Sequence, residues 1–549
     1  MNLTWRKKAC FAAATVVAFF AMIEVGLAVL GLPKERVAED PYVGFSSQIP
    51  LMKESIDDQG QVLMVTAPEK LRLFNPQSFA AKKPVGVKRI FCVGGSTTFG
   101  RPFDDATSYS GYLRKLLPET GTASQWEVIN AGGVSYASYR VAAVMEELAQ
   151  FEPDIFIVYS AHNEFLERRT YAGLIETPRL QIAIESTLRK TRTFTALQDA
   201  VDGFRGHDDT PVDMLPGEVD ERLNHTVGPV DYVRDDAWTA DVLRHYRSNL
   251  ERMISIAYHA GAAIVFVEPA CNEKDCAPFK SDEDHFDRGT GLFEQGLFDA
   301  ASEEFLTAID RDICSLRATS AIRKIVRDVS RENNVPLVRF NTFLHSLCET
   351  EYGHSCLGNE YFLDHVHPTV DVHGKLASEI VDTLVRSGQI DGTVPDATAT
   401  GRVDAAIRGA IDTGDQAIAF RNLAKVLHWA GKFSEAQRSA EDALRLRPSD
   451  PASLFVLADC LTQQGHSDEA IQRYEQLFEV TEYERAMLPF AFVLSDAGHL
   501  ETAKFYATLA TASEKPRTRE AALDLLISIH LSLGEDQLAV EAESHLDDR

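Results

Sequence analysis

Two short motifs are missing from this 549-residue chain. Its eight cysteines contain no Cys-x-x-Cys pair, which argues against a cysteine-based zinc site. No Gly-x-Ser-x-Gly pentapeptide occurs either, so a serine nucleophile here would not ride on the strained strand-to-helix elbow that this motif builds. Positive charge is also scarce. The chain holds 55 Lys and Arg against 82 Asp and Glu, a net charge of −27. Phosphate backbones are bound by concentrated Lys and Arg, so no nucleic-acid partner is expected. The excess of acid favours solubility and a neutral or cationic partner, and does not bear on the fold. What is present is ordinary for a folded protein: 45% hydrophobic and 25% charged residues, in a length that allows two or three domains.

The N-terminus carries a membrane signal. Arg6-Lys7-Lys8 precedes an apolar stretch over residues 9–32, broken only by Glu24. About 20 apolar residues span a bilayer. The basic flank stays on the cytoplasmic side, which sends the bulk of the chain across as a single-pass, extracytoplasmic protein. No small-x-small cleavage site stands out, so an uncleaved signal anchor is expected in preference to a cleaved signal peptide. Glu24 reads as a tolerated or helix-pairing polar residue rather than a functional intramembrane acid. In an oxidising compartment Cys271 with Cys276, and Cys348 with Cys356, are close enough in sequence to close small loops. Free buried thiols are an equal alternative.

From residue 87 the pattern becomes regular. Arg89-Ile90-Phe91-Cys92-Val93 reads as a buried strand, as do residues 126–129, 155–159, 263–267 and 335–338. Amphipathic helices are expected between them, around residues 142–150, 242–259 and 319–333. Short apolar strands alternating with helices imply a parallel sheet covered on both faces. Residues 166–240 interrupt the rhythm with helix-like spacing and then an Asp/Pro/Gly-rich section, read as an insertion over the catalytic edge or a surface excursion. Beyond a Gly/Asp/Thr/Ala-rich linker, Gly431, Gly465 and Gly498 recur at about 34 residues, and Gly534 follows. Ala436, Ala470, Ala503 and Ala539 track them. Phe433 and Tyr474 hold aromatic positions, and Pro448 falls where a helix pair should end. This is similar to the tetratricopeptide repeat, in three to four degenerate copies, and Gly296 to Ala301 has the same offsets. The expected plan is residues 1–35 anchor, 36–86 juxtamembrane lead, 87–390 sheet domain with the insertion at 166–240, 391–410 linker and 411–549 repeats.

Three pieces of sequence follow strands in chain order: Gly94-Gly95-Ser96-Thr97-Thr98, His162-Asn163-Glu164 and Asp364-His365-Val366-His367-Pro368. A parallel sheet gathers the C-terminal ends of its strands along one edge, where such groups can meet. A serine needs a base to become a nucleophile, and the base needs a third group to orient it. Ser96, His367 and Asp364 can supply those roles. Each also has a plain alternative: a turn or helix cap for Ser96 and Asp364, an Asx turn for Asn163, a surface histidine for His367.

With those pieces in place the chain resembles the SGNH, or GDSL-type, hydrolase superfamily over residues 87–390. Gly94-Gly95-Ser96-Thr97-Thr98-Phe99-Gly100 resembles the block that carries the nucleophile. Ser160-Ala161-His162-Asn163-Glu164 stands where the family has Gly-x-Asn-Asp, and Asp364 to Pro368 match its Asp-x-x-His-Pro fully. The second block, Asn-x-Gly-x-x-Gly in the family, is here Asn130-Ala131-Gly132-Gly133-Val134-Ser135, with Ser135 in place of the final glycine. The resemblance implies a three-layer, flavodoxin-like α/β sheet with no metal or cofactor. It implies Ser96, Asp364 and His367 as catalytic residues, and an oxyanion hole made of the Ser96 and Ser135 N–H groups and the Asn163 amide. His162, His365 and His373 could suggest metal ligation, but the family needs none. The loop from Glu268 to Glu273 leaves a strand end and could line the site.

The expected function is a membrane-anchored serine esterase. Its substrate would be an acylated small molecule or carbohydrate, acetylated by analogy, with a protein partner on the repeats. The alternatives are an O-acyltransferase of envelope polysaccharide using the same triad, or a repeat-based scaffold with an inert sheet domain.

Overall fold

The computed structural model describes residues 50–166, 233–429, 431–513 and 516–547, together with Met22. Among them no helix is long and apolar enough to cross a membrane. Apart from Met22, the expected anchor over residues 9–32, with Cys10 and Glu24, lies outside the described residues, as does most of the 166–240 insertion.

Five parallel strands form the central sheet: β4 (Val87–Gly94), β5 (Gln125–Gly132), β6 (Ile155–Tyr159), β7 (Ala263–Val267) and β8 (Leu337–Val338), in the order β5-β4-β6-β7-β8. The strands are apolar along most of their length, where both faces are covered, and their alternation sorts side chains into two cores. Ile90 and Cys92 of β4 and Ile155 and Ile157 of β6 join the helices Tyr109–Leu116, Phe340–Tyr352 and Val370–Arg386. Phe91, Val93, Phe156 and Val158 point the other way, onto Ser138–Leu148, Asp236–His259 and Ser320–Glu332. The helix expected from residue 242 begins earlier, because the Asp235 carboxylate accepts the Trp238 N–H at 2.9 Å and caps it at Asp236.

Two segments differ from the sequence expectation. The lead before residue 87 folds into a small antiparallel sheet of β1 (Met52–Ile56), β2 (Val62–Thr66) and β3 (Ser78–Ala80). Buried Arg89 latches it to β4, reaching Glu127 at 2.6 Å and donating to the carbonyls of Phe151 and Ala80. The expected linker contains the helix Ala397–Arg408, capped by Asp396. Val403 and Ile407, one turn apart, bury in the first core, and Tyr112 donates to Asp404 at 2.8 Å.

Eight helices, from Thr413–Trp429 to Asp536–Asp547, make the C-terminal part among the described residues. Gly431, Gly465, Gly498 and Gly534 take left-handed φ angles of 73°, 80°, 82° and 75° at the turns within successive pairs. Ala436, Ala470, Ala503 and Ala539 are buried where the paired helices cross. All seven described cysteines are free and buried. Neither loop considered above is bridged, because the thiols turn to other partners. Cys271 takes Arg323 at 3.7 Å, Cys348 meets His354 Nδ1 at 3.4 Å, and Cys356 donates to the Phe298 carbonyl at 3.6 Å.

Candidate active site

Chain connections leave β4 and β6 in opposite directions, so a crevice opens at their C-terminal ends. Ser96 follows β4 directly, as the first residue of the short helix Ser96–Phe99. Its approach depends on glycine. A Cβ on Gly94 would lie 2.1 Å from the Tyr159 carbonyl oxygen of β6. A Cβ on Gly95 would come within 3.0 Å of Asn163 Nδ2. The turn after β4 is therefore pressed against the turn after β6, and Asn163 sits beside the serine.

The Asp-x-x-His-Pro segment arrives from the far end of the sheet. An isolated bridge between Phe362 and Pro368 pinches it into a loop, and Thr369 then caps the helix Val370–Arg386. Asp364 Oδ1 accepts the N–H groups of Val366 and His367, both at 2.8 Å. Its Oδ2 lies 2.6 Å from His367 Nδ1, and His367 Nε2 lies 2.8 Å from Ser96 Oγ. The structure thus brings together three side chains spread over 271 positions of sequence. Burial alone would raise the Asp364 carboxyl. The adjacent His367 and His365 imidazoles and the His367 hydrogen bonds outweigh it and hold the group far below the usual carboxylate range.

Ser135 closes the loop after β5 with φ at +60°. The other N–H groups of that loop are taken: Gly132 by Asn130 Oδ1, Gly133 by the Gly94 carbonyl, Val134 by the Leu73 carbonyl and Tyr136 by the Gly133 carbonyl. The Ser135 N–H has no partner among the described residues, and its carbonyl accepts from Arg140 at 2.6 Å. Asn163 donates one amide proton to the Tyr136 carbonyl at 3.1 Å, which ties the β6 turn to this loop and leaves a second proton to give. Sequence reasoning missed the brace beneath them. Buried Glu164 accepts both the N–H and the hydroxyl of Ser138, at 3.0 and 2.6 Å.

Of the other histidines named above, His162 and His373 are buried around this centre and His365 is half-buried. Burial, and then the neighbouring His365 and His367, push His162 down to about 3. Burial pushes His365 down to about 4 against the pull of Asp364. Burial, with His367 adding to it, takes His373 down to about 3. All three are neutral near pH 7. Among the described residues one set of three potential metal donors lies within 4.8 Å of one another: Cys348, His354 and Glu360, away from the triad. Each already has a protein partner there, with Lys274 Nζ 3.2 Å from Glu360. The loop after β7 packs behind the site rather than lining an opening. Glu268, Ala270, Cys271, Asn272 and Glu273 are all fully buried, and the Asn272 N–H holds the His365 carbonyl at 3.0 Å.

The repeats also reach this centre. Leu363, next to Asp364, packs against their core, and Phe420 meets Phe103 edge to face at 5.4 Å. Lys432 Nζ donates to the carbonyls of Ala277 and Pro278, at 2.8 and 2.9 Å, and stands 4.7 Å over the Phe279 ring.

No curated protein matches the chain. Among solved structures it is similar to a GDSL-like lipase from Parabacteroides merdae, at 15% identity and a TM-score of 0.30, covering 56% of this chain and all of that one. It is similar to the acetylxylan esterase Axe2 from Geobacillus stearothermophilus, at 14% identity and 0.30, covering 54% and 94%. A third is an acetyl xylan esterase at 11% identity and 0.29, covering 54% and 100%. Residues 415–482 match the family model of the tetratricopeptide repeat.

Proposed function

We propose that the chain is a serine esterase that hydrolyses O-acyl esters of a small molecule or carbohydrate. The hydrogen-bonded series Ser96–His367–Asp364, at 2.8 and 2.6 Å, carries this reading. Ser96 Oγ attacks the ester carbonyl while His367 Nε2 takes its proton. Asp364 stays ionised, accepts the Nδ1–H and balances the imidazolium. The carbonyl oxygen becomes an oxyanion facing the Ser96 and Ser135 N–H groups and the Asn163 amide. Each such donor is worth about 3–4 kcal/mol of barrier. Collapse breaks the C–O bond, and His367 returns its proton to the departing alcohol. Water then attacks the acyl-enzyme by the same route, releasing the acid and restoring Ser96. The basic and apolar residues of the first 35 positions support an anchored, extracytoplasmic placement. The acetyl group is the acyl group to try first.

The test is hydrolysis of p-nitrophenyl acetate by the purified chain beside its Ser96→Ala variant. A Ser96-dependent rate, lost by about 10,000-fold or more in the variant, is expected. Equal rates in both proteins would sink the reading.

A further inference from the structure

The Asp-x-x-His loop is the one arm of the site that does not leave the end of a strand. Ser96 and Asn163 leave the ends of paired central strands. Asp364 and His367 sit in irregular chain between the helices Phe340–Tyr352 and Val370–Arg386, closed by the Phe362–Pro368 bridge, by the Leu363 N–H on the His367 carbonyl at 2.8 Å and by the Asn272 N–H on the His365 carbonyl at 3.0 Å. Proton transfer tolerates little error here, since a misplacement of about 1 Å can cost ~100-fold in rate. Both chain neighbours of Asp364 find their support toward the repeats. Leu363 enters the apolar core of the repeat helices. The His365 ring lies edge to face against Phe279 at 5.1 Å, and its Nδ1 is 3.6 Å from Asp364 Oδ1. Phe279 is held in turn by Asp312, which accepts its N–H at 2.9 Å, and by Lys432 over its ring.

From these contacts, and resting on the esterase reading, we infer that Lys432 of the repeat domain is a positioning residue for the Asp364–His367 arm of the triad. The lysine immediately precedes the repeat helix Phe433–Leu446, so its stem is fixed by that helix. Its ammonium joins two adjacent carbonyls, Ala277 and Pro278, and covers the ring that follows them. An ammonium has three donors and a charge that an aromatic face attracts, so one group fixes both the backbone and the ring. The ring then limits where His365 can go, and His365 flanks Asp364. The repeats are on this account a working wall of the esterase as well as a surface for partners.

The experiment uses the full chain and p-nitrophenyl acetate, comparing wild type, Lys432→Met, Lys432→Arg, Phe279→Leu and Ser96→Ala. Far-UV circular dichroism and thermal midpoints give the folded fraction of each. In Lys432→Met, kcat per folded molecule should fall by roughly 10- to 100-fold while KM stays close to wild type. Phe279→Leu should fall in the same way. Lys432→Arg should recover most of the rate, because a guanidinium can also reach two carbonyls and cover a ring. A Ser96-dependent rate that Lys432→Met leaves unchanged, or a loss fully accounted for by unfolded protein, overturns the placement of Lys432 and leaves the esterase reading standing. Equal rates for wild type and Ser96→Ala overturn the esterase reading itself, and the role of Lys432 with it.

Discussion

At Ser135 the backbone turns through φ +60°, where a side chain costs about 1–2 kcal/mol relative to glycine. The turn is held by Arg140 on the Ser135 carbonyl and by the filled N–H groups around it. Ser135→Gly should therefore keep the inward N–H and the esterase rate, and raise the thermal midpoint slightly. A large loss of rate would show that the hydroxyl takes part in the chemistry. Asp364→Asn should lower kcat by about 10,000-fold with little change in KM, since the amide cannot hold the His367 tautomer, and steady-state kinetics on p-nitrophenyl acetate would read it. The buried histidines set a pH dependence of stability. Their folded pKa values lie below the unfolded value near 6.5. Above that pH both states are neutral and nothing differs. As pH falls below it the unfolded chain takes up protons that the folded chain refuses, so stability declines toward pH 4. His373→Phe should reduce proton uptake on unfolding at pH 5 by about one, measured by calorimetry in buffers of different ionisation enthalpy. Ser96, Asn163 and the Asp-x-x-His element were legible in the sequence because each lies in a local pattern at or beyond a strand end. Lys432 and Phe279 were not, because each acts through a tertiary contact that leaves no local spacing behind; Glu164 stood in a legible block, but its hold on Ser138 did not show there.

Among the elements, β4 does the most to place the chemistry. It pairs with β5 and β6 on either side and ends level with both, Gly94 opposite Gly132 and Tyr159. Gly94→Ala would drive a methyl into the Tyr159 carbonyl oxygen, 2.1 Å from where the Cβ must sit. The variant should lose about 3 kcal/mol or more, seen as a lower denaturation midpoint in urea, together with esterase activity. The central strands could be read from sequence because burial on both faces gives each a short apolar run, such as Ile90 to Val93 and Ile155 to Tyr159. The small sheet could not. Its strands are three to five residues long and half exposed, so their alternation is weak against turn residues such as Gly60 and Pro76. The helix Ala397–Arg408 was obscured in a similar way. Its Thr, Gly and Ala content looks like a linker, and only Val403 and Ile407 show the face that docks.

In the molecule as a whole the helix Ala397–Arg408 packs with the core of the sheet domain. A chain ended at residue 390 would strip Val403 and Ile407 from the core beside Tyr112. At about 1.5–3 kcal/mol for each aliphatic side chain, roughly 3–6 kcal/mol would go, and the fragment should melt well below one that ends at 411. Equal midpoints would show that the helix only rests on the surface. The same continuity gives the seven sealed thiols a use. Burial pushes Cys92 in the sheet and Cys460 in the repeats up to about 12, so both are protonated and closed to alkylating reagents in the native protein. Each becomes reactive only when its own region opens. Iodoacetamide trapping followed by peptide mapping would then act as two separate clocks, and matching rates at the two positions would mean that the sheet and repeat halves come apart as one cooperative unit.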